Sequence, residues 1–209
     1  MGKLRLSAQE TAIALIEFNS IGCGIRAGDA MAKKAPLDSL AAGTVQPGKF
    51  LVLISGEVAA VQEALQAGVE TGAGSVVGTL ILPYVHRDVL AALRGRRVTG
   101  PGEALGVIET RRVVDTILAA DAAVKGAEVS LREIRLADGL GGHAFCLLHG
   151  RVPDVEASVE IGVQALGDPA QIISAVVIPQ LDADLDANLT AGTIFSDRML
   201  ASSGGQRYT

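Results

Sequence analysis

The sequence predicts an α+β fold made of two copies of one β-α-β-β-α-β unit. Three observations carry that reading. The chain has 209 residues, enough for one large domain or two of about 100 residues. It repeats itself: residues 12–35 align with residues 104–127 at a separation of 92, and nine of the 24 positions are identical. Each half also sets short apolar runs around two amphipathic stretches in the order of a split β-α-β, or ferredoxin-like, domain.

The repeat continues beyond its opening. The first identities are Ala12, Ile16, Glu17, Ile25, Ala27, Asp29, Ala30, Lys33 and Ala35, each meeting its own residue type in the second half. Farther on the separation is 94, pairing Gly56, Val58, Val61, Gly68 and Val69 with Gly150, Val152, Val155, Gly162 and Val163. At the end it is 96, pairing Pro83, Asp88, Ala91 and Leu93 with Pro179, Asp184, Ala187 and Leu189. Two slips of two residues are what insertions in loops produce. The period far exceeds the roughly 20–50 residues of solenoid units, so this is a tandem domain duplication. The expected units are residues 10–93 and 104–190. The polar join 94–103, broken by Gly-Pro-Gly, suits a linker, and residues 191–209 are expected to form a tail.

The elements are clearest in the second half. "ALGVIET" is an apolar strand ending in Ile-Glu, as "IALIEF" is in the first half. "VVDTILAADAAVKGA" puts Val113, Ile117, Ala120 and Val124 on one helical stripe. "VSLREIRLA" alternates as a strand, "DGLGGH" is a glycine loop and "AFCLLHG" is a strand. "VPDVEASVEIGVQALG" is a helix with Pro153 in its first turn. "AQIISAVVIP" is a last strand stopped by Pro179, and a short helix is expected after Pro83 and after Pro179.

Composition narrows the function. Hydrophobic residues make up 49% of the chain and mean hydropathy is +0.38, but aromatics are only 3% and Trp is absent. The core must therefore be thin layers of Ala, Val, Leu and Ile. A net charge of −5 argues against nucleic acid as a main partner. Cys23 and Cys146 make no disulfide framework; free thiols of a reducing cytoplasm are expected, one in the first helix and one in a strand. The N-terminal residues lack a signal-peptide pattern. No apolar run reaches the ~18 residues of a membrane span. No phosphate loop, dinucleotide fingerprint, nucleophile elbow or zinc-spaced Cys/His set is present. No catalytic residue, metal ligand or cofactor is expected. Asp182, Asp184 and Asp186 read as solvated carboxylates, and His86 and His149 as surface or strand residues.

"ALGVIETR" followed by "AADAAVK" resembles the opening of the bacterial microcompartment (BMC) shell-protein domain. "HGRVPDVEASVEIG" resembles that family's second helix, and "VVIP" its last strand. "DAMAKKAPL", "ISGEVAAVQEALQAG" and "LILPYVH" carry the same plan in the first half. The resemblance covers roughly residues 10–190, with both sets in the family's ordinary, non-permuted order. It is greatest to tandem shell proteins of the propanediol-utilisation type, through "PGKF" and a "GIGGK"-like loop. It implies a flat homotrimer in the shell of a cytoplasmic microcompartment, where six domains imitate a hexamer and meet other shell proteins at their edges. It also implies a central pore for small polar metabolites, lined by the turn between the second and third strands of each domain.

That turn is "GTVQPGK" in the first half, giving Gly43, Thr44, Val45, Gln46, Pro47 and Gly48. In the second half it is "DGLGGH", giving Gly139, Leu140, Gly141, Gly142 and His143. Glycines there allow tight turns and expose amides that favour anionic or polar solutes. Three copies of His143 would gather near the axis. The family's edge lysine, which packs side by side with neighbouring tiles, corresponds to Lys33 and Lys125. Tyr84 and Gln180 stand where the family often has an arginine, which predicts weaker or more selective edge packing. Some tandem relatives hold an iron–sulfur cluster by a cysteine in the first loop; Gln46 stands there instead. The alternatives to a metabolite-passing tile are a trimer binding a small regulatory ligand, which never forms sheets, and a shell protein with a redox role.

Overall fold

The computed structural model describes residues 12–100 and 102–194. Residues 10–11 of the expected first unit, Pro101 of the linker and 195–209 of the expected tail lie outside the described residues.

The first half runs β1 (Ala12–Phe18), α1 (Ile21–Lys34), β2 (Ser39–Val45), β3 (Lys49–Gly56), α2 (Val58–Thr71), β4 (Val76–Leu82) and α3 (Arg87–Leu93). The second runs β5 (Ala104–Thr110), α4 (Val113–Gly126), β6 (Ser130–Leu136), β7 (Ala144–Gly150), α5 (Val152–Gln164), a 3-10 turn (Pro169–Gln171), β8 (Ile172–Pro179) and α6 (Ala183–Ala191). Both sheets have four antiparallel strands, in the orders β2-β3-β1-β4 and β6-β7-β5-β8. This is the ferredoxin-like order, twice. The short helices after Pro83 and Pro179 are α3 and α6; the 3-10 turn, opened by Asp168 accepting from the Ala170 N–H, was not legible in the pattern.

Registers match between the halves. Glu17 lies opposite Gly78 on β4 and Leu51 on β3. Glu109 lies opposite Ser174 on β8 and Phe145 on β7. These pairings define equivalent positions without reference to residue identity.

One face of each sheet packs on its own two helices. Alternate residues of β1, namely Ala12, Ala14, Ile16 and Phe18, join Ala27, Met31, Val61 and Ala64 in a cluster confined to the first half. The other face of that sheet behaves differently. Ile13, Leu15, Leu80 and Leu82 lie in one buried cluster with Val113, Val114 and Ile117 of α4. All seven residues of β1 are therefore buried, because both its faces are covered. In β5, Val107 and Glu109 stay half-exposed. The sheet of the second half has helices on one face and a partly open apolar face on the other. Leu105, Val107, Phe145, Leu147 and Ile178 line that open face, beside Leu185 and Leu189 of α6.

Candidate functional site: a loop pair and a seam

The two halves bring their candidate loops together. A Cβ added at Gly142 would lie 2.7 Å from Pro47 Cδ, 3.3 Å from the Gln46 carbonyl oxygen and 3.5 Å from Lys49 Nζ. Gly142 also has φ +90°, which L side chains rarely adopt. Glycine is thus required there twice over. The first loop is shorter than the sequence suggests. Gly43, Thr44 and Val45 belong to β2, which pairs with β3 up to Val45 opposite Lys49, so the turn is Gln46, Pro47 and Gly48 alone. All three are exposed. The second loop is longer: Ala137 donates its N–H to the His143 carbonyl, and Leu140 folds back onto Ala137. Gly139 and Gly141 are exposed at its tip, with Leu140 half-exposed. Not every glycine amide is free, since Gly48 donates to the Val45 carbonyl.

Glu17 organises the seam beside these loops. Its carboxylate is fully buried. Oε1 accepts from Lys49 Nζ at 2.6 Å, and Oε2 accepts at 2.9 Å from the backbone N–H of Val113, the first residue of α4. The first N–H groups of a helix have no intrahelical partner and favour a negative charge. Arg112, at the cap position, gives α4 no side-chain cap; the glutamate of the other domain fills the place. Gly78, opposite Glu17, makes room for α4: a Cβ there would sit 2.6 Å from Val114 Cγ2. In the sequence Glu17 was visible as a repeated residue, but only the fold reveals its work.

The second half has the matching parts without the helix. Glu109 Oε1 is 3.7 Å from Nδ1 of His143, which occupies the place of Lys49, and both side chains are partly exposed. The edge lysines differ as well. Lys33 meets Asp29 at 2.7 Å with its side chain 75% exposed. Lys125 binds the buried Asp121 at 2.5 Å and donates to the Tyr84 carbonyl in the first half. His86 caps α3, accepting from the Asp88 N–H, and donates its own backbone N–H to Asp121.

The aspartate run is not wholly solvated, as the sequence reading had it. Asp182 caps α6, accepting from the Asp184 N–H, and Asp186 accepts at 2.6 Å from Arg132, whose side chain is buried in the sheet. His149 is also buried, and burial pushes its imidazolium pKa down, with Arg132 adding to the effect. Cys23 lies in α1 and Cys146 in β7, as expected. Neither is in a loop, and Gln46 offers a neutral amide, so the loop residues do not fit an iron–sulfur cluster. Among the described residues no group of three or more His, Cys, Asp or Glu is placed to hold a metal ion, and no helix is long and apolar enough to cross a membrane.

Comparison with known proteins agrees with this architecture. The BMC domain family model matches residues 12–85 and again 104–181. The bacterial microcompartment shell protein PduT of Citrobacter freundii is 37% identical over 169 residues, covering 81% of this chain and 92% of that protein. The carboxysome assembly protein CcmO of a Synechocystis strain is 25% identical over 203 residues, covering 90% of this chain and 67% of that protein. The crystal structure of a microcompartment protein from Desulfitobacterium hafniense DCB superposes with a TM-score of 0.75 at 44% identity, covering 85% of this chain and 98% of the other. With both halves matched in ordinary strand order, the chain belongs to the BMC-domain family of bacterial microcompartment shell proteins.

Proposed function

We propose that the chain is a shell tile that closes as a homotrimer around a pore for small polar metabolites. The observation that carries the reading is the pairing of the two loops, Gln46–Gly48 and Asp138–His143, side by side at equivalent positions of the two domains. Three chains carrying two similar wedges close a six-position ring under threefold symmetry. Such a ring gathers three copies of each loop at its centre. The loop pair is polar and small-residued, with Gln46, His143 and the exposed Asp138 as its hydrogen-bonding side chains, which suits small polar solutes. Lys33 and Lys125, near the C-terminal ends of α1 and α4, are assigned to edge contacts with other shell proteins of the same microcompartment. In this reading the chain divides into the units 10–93 and 104–190, joined by the linker 94–103 and followed by a tail from 191.

Light scattering tests the assembly. The expected mass is three times the 21.4 kDa chain; a stable monomer or a hexamer of whole chains overturns the reading. Lys33→Asp is expected to leave the trimer intact and reduce its incorporation into sheets with partner shell proteins, seen by electron microscopy. Normal incorporation removes the edge role.

A further inference from the structure

We infer that the second domain binds a small uncharged solute bearing two or more hydroxyl groups, in a pocket formed by Arg132, His149 and Asp186 at the end of its sheet away from the loops. The site is independent of the trimer and of the pore.

The pocket begins with a fault in strand pairing. β6 and β7 pair Ser130 with His149 and Leu131 with Leu148, then resume at Glu133 opposite Leu147. Arg132 is the extra residue of a β-bulge, a device that re-aims side chains. The Val98 N–H of the linker donates to the Arg132 carbonyl at 3.0 Å. β2 and β3 keep one register throughout, so the first half has no counterpart of Arg132. The counterpart of His149 is Ser55, which lies opposite Ser39 as His149 lies opposite Ser130. In the first half that place is self-satisfied: the Ser39 and Ser55 hydroxyls bond each other at 2.6 Å. The second half differs by a bulge and by histidine in place of serine.

The groups placed there are polar, buried and incompletely bonded. Arg132 is 3% exposed and His149 8%. Arg132 donates through Nη1 to Asp186 Oδ1 at 2.6 Å, and through Nη2 to the Asp186 carbonyl at 3.2 Å and to Thr190 Oγ1. Its Nε has no partner among the described residues, and neither has Nδ1 of His149. Buried polar groups are nearly always bonded, because leaving one unpaired costs about 1–3 kcal/mol. Both side chains line one cavity of about 180 Å³, together with Asp186, Leu105, Leu181 and Gly102. At ~30 Å³ for each water, that volume holds roughly six water-sized groups.

The donors and acceptors select the ligand. Arg132 and Asp186 cancel in charge, and burial, with Arg132 adding to it, keeps His149 neutral at pH 7. The cavity therefore has no net charge with which to hold an ion. Nε–H of Arg132 needs an acceptor, while the Asp186 carboxylate takes donors. A carboxylate solute only accepts and an ammonium only donates; a hydroxyl does both. A second hydroxyl serves His149, whose neutral ring donates or accepts at Nδ1 according to its tautomer. Leu105 and Leu181 give the carbon chain an apolar wall.

Imidazole NMR of the full chain, which has three histidines, tests the site with glycerol as the probe. The His149 signal is expected to shift saturably. Those of His86 and His143, assigned with His86→Asn and His143→Gln, are expected to stay in place. His149→Ser recreates the serine pair of the first half. It is expected to keep its circular dichroism and to weaken glycerol binding about tenfold, the worth of one hydrogen bond, with the Arg132 Nε–H signal as reporter. No saturable shift at His149 means that water alone fills the cavity, and overturns the proposal. Equal shifts at all three histidines are a solvent effect and overturn it as well. Sodium formate acting on His149 at lower concentration than glycerol overturns the uncharged ligand. If His149→Ser does not fold, the titration of His149 in the parent decides alone.

Discussion

Helices α1 and α4 are both 14 residues long and occupy the same place in their domains, yet α1 buries four residues and α4 buries ten. Their own sheets do not explain the difference, because each packs one stripe on its own strands. The difference is the second layer. α4 is held between its own sheet and the open face of the first sheet, while α1 has solvent where α4 has Leu15 and Leu80. The strands tell the same story: β2 is largely exposed and β6 largely buried. Duplication has given the chain one buried seam, between α4 and the open face of the first sheet. The isoleucine is kept at both Ile25 and Ile117, but only Ile117 has a second sheet to bury it.

The strongest way to break this comparison is to remove the pin of the complete seam. Glu17→Ala leaves Lys49, only 20% exposed, without its carboxylate and the Val113 N–H without its acceptor. Breaking a buried ion pair from one side costs about 3–5 kcal/mol. Urea unfolding at a protein concentration low enough to dissociate the trimer should show a loss of that order for Glu17→Ala and under about 1 kcal/mol for Glu109→Ala, whose side chain is partly exposed. Equal losses would mean that the two glutamates are equivalent within the chain.

A smaller effect comes from the strand side of the same seam. Gly78→Val places a branched side chain where even one carbon would lie 2.6 Å from Val114. Overpacking of this kind costs about 1–3 kcal/mol, and Val114→Gly in the same chain should recover part of it. Full additivity of the two changes in urea unfolding would show that they do not touch.

Much of this is legible in the sequence. The repeated Ile-Glu opening and the drifting separations pointed to two copies of one domain, and the split β-α-β plan to the order of its elements. Three things besides the 3-10 turn were not legible, each for a physical reason. β2 extends through Gly43, Thr44 and Val45 because β3 offers a pairing edge, and a glycine-containing strand looks like a loop when its partner is unknown. Asp186 looked solvated because Arg132, 54 residues earlier, cannot be seen from α6. Glu17 looked like a strand end, since its helix N-terminus lies 96 residues away in the other domain. Periodicity reports which face is apolar; it is silent on what covers that face.

The finest comparison uses the two cysteines as reporters of the two layers. Cys146 is fully buried in β7, and burial pushes its thiol up to about 12. Cys23, in the first turn of α1, is partly exposed. The Ser20 hydroxyl, then that of Ser75, hold its thiol below the ordinary range by stabilising the thiolate. The thiolate is the reactive form, so a lowered pKa gives Cys23 a larger reactive fraction at neutral pH and its rate should level off at a lower pH than for a free thiol. Iodoacetamide at pH 7.5 should therefore alkylate Cys23 in the folded chain and Cys146 only after unfolding, as read by peptide mass spectrometry. The counterpart of Cys23 at the complete seam is Asp115, only 7% exposed. Rapid labelling of Cys146 in the folded protein would break the layered core.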